Sequence, residues 1–337
     1  MKLYQPSESL DSITTADAVY YRTSRAVVRM RGADRLDLLH RLSTNAVRDL
    51  APGTEATTML TSEKGRIVEL VRVVAREEEV LLVLAGGDAE RVRAWLDKYT
   101  IMDDVATDSL GSAYTVLLLS GDRLRRVVES AFGGSLPDAG RWASIDLGGS
   151  AALLARDARL TGSVGAMLLV PSENLESATG QLERAGAREI DGNTYETLRI
   201  AAGIPGSGTE LSETYNPLEA GLVQYISWTK GCYIGQEVIA RLDSYDKVQR
   251  HLVGMELSST PENFSDDVAV IDPEEGKRIG TLTSIARPAP GAPAIALAYV
   301  RTAYAVPDLP LHVVPEEGAL PVAATVARLP FEVAASL

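Results

Sequence analysis

Cysteine is almost absent: the 337 residues hold one, Cys232, and only three histidines. A single thiol excludes an internal disulfide and cannot by itself hold a four-ligand zinc or iron–sulfur site, so any metal would need partner or solvent ligands. A reducing, cytoplasmic setting is expected. No hydrophobic run approaches the roughly 20 residues of a membrane span, and the opening Met1-Lys2-Leu3-Tyr4-Gln5-Pro6 lacks the apolar stretch of a signal peptide. No membrane partner is expected. Positive charge is also short, with 33 Lys and Arg against 46 Asp and Glu and a formal net charge of −13. That balance disfavours nucleic acid or anionic lipid as a general partner, because phosphate needs a basic surface. No Gly-x-Gly-x-x-Gly follows a predicted strand, which disfavours a dinucleotide site.

What is present suits a large globular protein. Hydrophobic residues make up 45% and charged residues 23% of a chain longer than one core usually fills, so two or more domains are expected. Arg25 to Arg31 alternates Ala26, Val28 and Met30 with polar positions and predicts a strand stopped by Gly32. Asp34 is placed to cap a helix that turns Leu36, Leu39 and Leu42 to one side. Met59 to Gly65, Ile67 to Ala75 and Val80 to Ala85 predict an antiparallel meander. A helix from Asp88 follows, with Val92, Trp95, Leu96 and Tyr99 on its buried face. A second cycle predicts strands at Tyr114 to Leu119, Trp142 to Leu147, Ala151 to Ala155 and Met167 to Val170, and helices at Asp122 to Phe132, Glu173 to Ala185 and Asn193 to Ala202. Neighbouring strands covered by helices make an α+β fold with antiparallel sheets and flanking helices, not a regular βαβ one. From about residue 248 the texture changes to short strands between proline and glycine turns, which predicts a small β-barrel or sandwich of about 80 to 90 residues. The expected division is 1–247 and 248–337.

The densest chemistry is Lys230-Gly231-Cys232-Tyr233-Ile234-Gly235-Gln236-Glu237, running on to Arg241. A thiol becomes a better nucleophile or ligand beside a cation or a helix N-terminus, and Lys230 and a helix from Gly235 to Arg241 offer both. Gly231 and Gly235 permit positive φ or close approach of a bound molecule. The competing reading is that Cys232 is a small buried apolar residue, since no histidine lies nearby to complete a Cys/His pair. Upstream, the loop holding Gly206, Gly208, Glu210, Glu213 and Asn216-Pro217-Leu218-Glu219 is long and polar, as functional loops often are.

Lys-Gly-Cys-Tyr-x-Gly-Gln-Glu at 230–237 with Arg241 beyond it resembles the signature of the YgfZ family. These are folate-binding proteins related to the glycine-cleavage aminomethyltransferase, or T-protein (GcvT), and to mitochondrial iron–sulfur assembly factors. Arg41 to Asn45, Leu60 to Arg66, Leu198 to Ile204 with Pro217 and Glu219, Gly280 to Ser284, Ala296 to Val300 and Pro330-Phe331 resemble further blocks in order, covering nearly the whole chain. The resemblance implies an aminomethyltransferase-like folate-binding domain with a C-terminal β-barrel, forming three lobes around a central cavity that receives tetrahydrofolate. It implies support of the assembly or repair of iron–sulfur proteins, with Cys232 as the functional thiol assisted by Lys230. Folate contacts would come from Arg199, Glu219, Gly231, Tyr233, Gly235, Gln236, Glu237, Arg241 and Glu69. Arg199 reads equally well as a helix residue paired to Glu196 or Glu210.

Two departures separate the chain from T-proteins. Their Gly-x-Ile-x-Asp-Asp strand corresponds to Gly65-Arg66-Ile67-Val68-Glu69-Leu70, which offers only Glu69. Their pterin-binding glutamate corresponds to Met167 in Thr161-Gly162-Ser163-Val164-Gly165-Ala166-Met167, and a methionine does not accept a pterin N–H hydrogen bond usefully. The other readings are a one-carbon transferase using Glu69 or Cys232, and a scaffold that has lost folate.

Overall fold

Strand β5, Ile67–Ala75, is buried at all nine positions, which requires cover on both faces of its sheet. The computed structural model, which describes residues 1–6, 10, 16–157, 164–260 and 263–331, supplies it. β5 pairs with β4 (Glu55–Thr61) and β6 (Glu79–Leu84), and β3 (Val27–Arg31) and β7 (Ala106–Ser109) complete a five-stranded antiparallel sheet in the order β4-β5-β6-β3-β7. Helices Arg35–Leu42 and Ala89–Tyr99 lay Leu38, Leu39, Leu42, Val92 and Leu96 against Val71, Val73 and Leu82 on one face. Fully burying each such side chain contributes about 1.5–3 kcal/mol. Asp88 caps the second helix through the Arg91 N–H at 2.9 Å. Asp34 does not cap the first: its carboxylate instead accepts from the Asp104 N–H, tying the helix start to the loop before β7.

The other face meets a second sheet. It contains β2 (Ala18–Thr23), β8 (Tyr114–Ser120), β9 (Trp142–Asp146), β10 (Ala151–Arg156), β11 (Gly165–Pro171) and β12 (Ala187–Glu189) in the order β12-β2-β8-β11-β10-β9. Val74, Leu81 and Val83 pack against Val116, Leu118, Leu153, Met167 and Leu169 between the sheets. Helices Leu124–Phe132 and Leu175–Arg184 cover the far side with Val127, Val128, Ala178 and Leu182. The arrangement is thus helices, sheet, sheet, helices, the α+β architecture expected.

The third sheet closes on itself. β13 (Arg250–Leu257), β16 (Ala294–Arg301), β15 (Arg278–Ala286), β14 (Val268–Ile271), β17 (Pro310–Val314) and β18 (Val322–Ala327) form an antiparallel six-stranded barrel, β18 returning to β13. Closure removes the unpaired edges of an open sheet. β1 (Leu3–Tyr4) adds in parallel to β15, so the N-terminus is seated on the barrel. Helix Gly192–Ala201 joins the parts, packing Ile200 and Ala201 against Ala286, Ile295, Leu297 and Phe331.

Candidate functional site

The motif around Cys232 is held from below by its lysine. Lys230 Nζ donates to the carbonyl oxygens of His40, Ser43 and Asn45 at 2.5, 2.5 and 2.9 Å, and lies 5.1 Å from the centre of the Tyr233 ring. Burial, and then the charge of Arg48, lower its pKa to about 8. The amine is therefore engaged by the turn after the first helix. Cys232 itself is exposed, so the reading of a buried apolar cysteine does not hold. Gly235 adopts φ +83° at the N-cap of helix Gln236–Ser244, and a Cβ there would lie 2.5 Å from the Ser62 carbonyl oxygen and 2.9 Å from Gly65 Cα. Its freedom lets two backbones touch; it is not directed at a bound molecule. Gly231 is exposed without positive φ. Tyr233 is buried in a cluster with Met59, Ile67 and Ile239, and burial raises its hydroxyl to about 12. Gln236 is half-buried, while Glu237 and Arg241 are exposed on the helix.

Three of the proposed folate contacts are occupied by protein. Arg199 takes up both carboxylates offered to it in the sequence: Nε meets Glu196 at 2.9 Å and Nη1 meets Glu210 at 3.1 Å. Its Nη1 also donates to the Ile204 carbonyl and its Nη2 to Ser284 Oγ on the barrel. Glu219 accepts from Arg66 and Arg250, each at 3.2 Å, and from the Asn216 N–H, joining the β4–β5 turn to β13. Glu69 accepts from the Leu70 and Gly86 amides and from Arg91 Nη2 at 3.1 Å. Its carboxyl stands above the usual range because burial outweighs Arg91 and those amides.

The structure gathers a different set around a cavity of about 590 Å³. Thr57 on β4, Arg72 on β5, Asp157 after β10 and Tyr225 line it together with Glu55. Arg72, 5% exposed, pairs with Glu55 at 3.0 Å and Asp157 at 3.5 Å and donates to the Arg156 carbonyl, while its buried Nε has no hydrogen-bond partner. A signal was available in the sequence: Arg72 is the one cation in β5, whose other residues apart from Glu69 are hydrophobic, and a buried charge there needs a reason. The motif borders this space. Tyr225 gives its carbonyl to Thr44 Oγ1, and Asn45, whose carbonyl holds Lys230, donates to the Thr57 carbonyl at 2.9 Å. Met167, where a glutamate would contact a pterin, is 1% exposed in the core between the two sheets. Thr161, Gly162 and Ser163 lie outside the described residues. Among the described residues, no group of three or more His, Cys, Asp or Glu is arranged to hold a metal, and no helix is long and apolar enough to cross a membrane.

Comparison with known proteins agrees with this architecture. The chain is 28% identical over 297 residues to a putative chloroplastic transferase of Arabidopsis thaliana, covering 87% of this chain and 67% of that one. It is 29% identical over 280 residues to an aminomethyltransferase of Exiguobacterium sibiricum, covering 82% and 76%. The crystal structure of the glycine cleavage system aminomethyltransferase T from Bartonella henselae superposes with a TM-score of 0.80 at 21% identity, over 95% of this chain and 88% of that one, which establishes the fold. Residues 14–230 match the family described as the GCVT N-terminal domain, and the chain belongs to that family.

Proposed function

We propose that this protein is a tetrahydrofolate-binding factor of the YgfZ kind, supporting the assembly or repair of iron–sulfur proteins through the thiol of Cys232, without aminomethyl transfer as its task. One observation carries the reading: Cys232 is exposed, whereas the carboxylate at the T-protein position, Glu69, is buried in an ion pair with Arg91. A folate would occupy the cavity lined by Arg72, which lies in the usual size range for a small-molecule site. The carboxylates of Glu55 and Asp157 suit the amino and ring N–H donors of a pterin, the orphaned Arg72 Nε suits its carbonyl, and Tyr225 offers a ring face. Folate, when bound, supplies a carrier for one-carbon units; the protein's part is to hold it and shield it from water. In this reading residues 1–247 form the folate-binding part, which supplies the lining of the Arg72 cavity, and 248–337 the barrel.

The test has two arms. A deletion strain is complemented with wild type or Cys232→Ser, and iron–sulfur enzyme activity and oxidant tolerance are followed; full rescue by the serine variant would remove the thiol from the mechanism. Purified protein is then given an aminomethylated carrier and tetrahydrofolate. The relatives named aminomethyltransferase make transfer the competing reading, and catalytic turnover would establish it. Folate binding without turnover is expected, and calorimetry showing no folate binding would leave a scaffold.

A further inference from the structure

A second cavity, of about 240 Å³, opens where the end of β2 and the loop before β3 meet the turn after β6 and helix Gly192–Ala201. Arg25, Tyr21, Tyr195, Gly86, Gly87 and Ser207 are among its walls. Tyr21 and Tyr195 stack with ring centres 4.3 Å apart and planes 13° from parallel, giving one flat, rigid side. Two glycines line the cavity as well: a Cβ on Gly86 would lie 2.5 Å from Ser207 Oγ, and one on Gly87 would lie 2.9 Å from the Ser24 carbonyl oxygen. Their missing side chains let the turn after β6 approach Ser24 and Ser207 closely.

The charges in this space do not cancel in pairs. Glu196 and Glu210 are both satisfied by Arg199, and Glu69, behind Gly86, is satisfied by Arg91. Arg25 pairs with no carboxylate among the described residues; its Nη2 reaches the Tyr195 hydroxyl at 3.4 Å, and its Nη1 is buried without a partner. A buried guanidinium N–H left without an acceptor is costly, so a partner in the adjoining space is favoured. The guanidinium fork matches the two oxygens of a carboxylate or phosphate.

We propose that this cavity is a binding site for a small oxyanion, a carboxylate or phosphate group held by Arg25 against the Tyr21–Tyr195 pair. The site is separate from the cavity at Arg72 and does not depend on the folate reading. The anion comes either from a free small molecule or from a carboxylate of a larger ligand.

Melting temperature and calorimetry on the full chain decide it, with sodium acetate and inorganic phosphate as probes and sodium chloride at matched ionic strength as control. Acetate or phosphate is expected to raise the melting temperature of wild type beyond chloride. Arg25→Gln is expected to weaken that binding roughly tenfold or more, as loss of a charged hydrogen bond does. Arg25→Lys, which keeps the charge, should retain part of it, and Ser207→Leu, which fills the space from an exposed position, should abolish it. Circular dichroism confirms that each variant is folded. Equal stabilisation by chloride, or an acetate and phosphate effect that survives both Arg25→Gln and Ser207→Leu, would overturn the proposal. Competition identifies the source: displacement of acetate by pteroylglutamate assigns the site to a carboxylate of a larger ligand, and no displacement assigns it to a free anion.

Discussion

Arg199 and Arg72 are buried alike, at 3% and 5% exposure, and each faces two carboxylates. At Arg199 all three guanidinium nitrogens have partners: Glu196, Glu210, Ser284 Oγ and the Ile204 carbonyl. The cluster spans helix Gly192–Ala201, the loop after it and the barrel, and Tyr299 adds a hydrogen bond to the Glu210 carbonyl at 2.9 Å. At Arg72 the contact to Asp157 is long, Nε is orphaned, and a cavity of about 590 Å³ adjoins. A polar cluster complete within the protein fixes the relation of its parts. One left incomplete beside open space has capacity for something else.

The largest effect tests the complete cluster. Arg199→Met should cost about 3–5 kcal/mol in urea unfolding, because it strands the buried carboxylate of Glu210. Burial pushes the Glu210 carboxyl up, but Arg199 and the hydroxyl and amide donors around it bring it below the ordinary value. The folded state then holds this proton less tightly than the unfolded one, so the stabilisation is present above the unfolded value of about 4.3 and lost as pH falls through the folded one. Glu210→Gln should flatten that acid limb; an unchanged limb would mean that another group titrates there. Arg72→Met is the counterpart. It should cost less stability, about 1–3 kcal/mol since the cavity admits water to Glu55 and Asp157, but weaken tetrahydrofolate binding at least roughly tenfold by calorimetry. Wild-type folate affinity in Arg72→Met would erase the distinction between the two arginines.

Legibility in the sequence followed locality. The barrel strands Val268–Ile271 and Val322–Ala327 fall where short apolar runs lie between proline and glycine turns, because such runs and their flanking turns are properties of a few adjacent residues. The short strands β7 and β12 carry too little pattern to be seen; β12 is three residues whose pairing with β2 is set by the sheet beside it. At the site, the exposed thiol and the helix at Gly235 agree with the motif's local reading. The partners of Lys230 are 185 to 190 residues away, so spacing gave no hint that its amine serves the turn at His40, Ser43 and Asn45. Glu55, Arg72, Asp157 and Tyr225 converge only through the stacking of two sheets, which no single stretch encodes.

A smaller effect separates the motif's lysine from its thiol. The folded value of Lys230, about 8, lies below the unfolded value of about 10.4. Between those pH values the unfolded chain keeps a proton that the folded chain has released, so this group makes stability rise with pH. Lys230→Met should remove that rise relative to wild type in denaturation at pH 7.5 and roughly 10, and should loosen the turn at Asn45, seen as faster amide exchange there. An unaltered difference between the two pH values would place the proton elsewhere.

The smallest expected change concerns Glu69. Burial holds its folded carboxyl above the ordinary value despite Arg91 and the amides of Gly86 and Leu70. The folded state therefore binds the proton more tightly, and the contribution to stability falls as pH rises above about 4.3. Glu69→Gln relieves that cost at neutral pH and leaves Arg91 half-exposed and able to hydrate, so unfolding free energy should shift by less than about 1 kcal/mol. Folate affinity and complementation should be unchanged, since the carboxylate is engaged away from both the Arg72 cavity and Cys232. Loss of a folate-dependent turnover in Glu69→Gln, with the fold intact, would instead make this carboxylate a catalytic group and return the protein to the transferases.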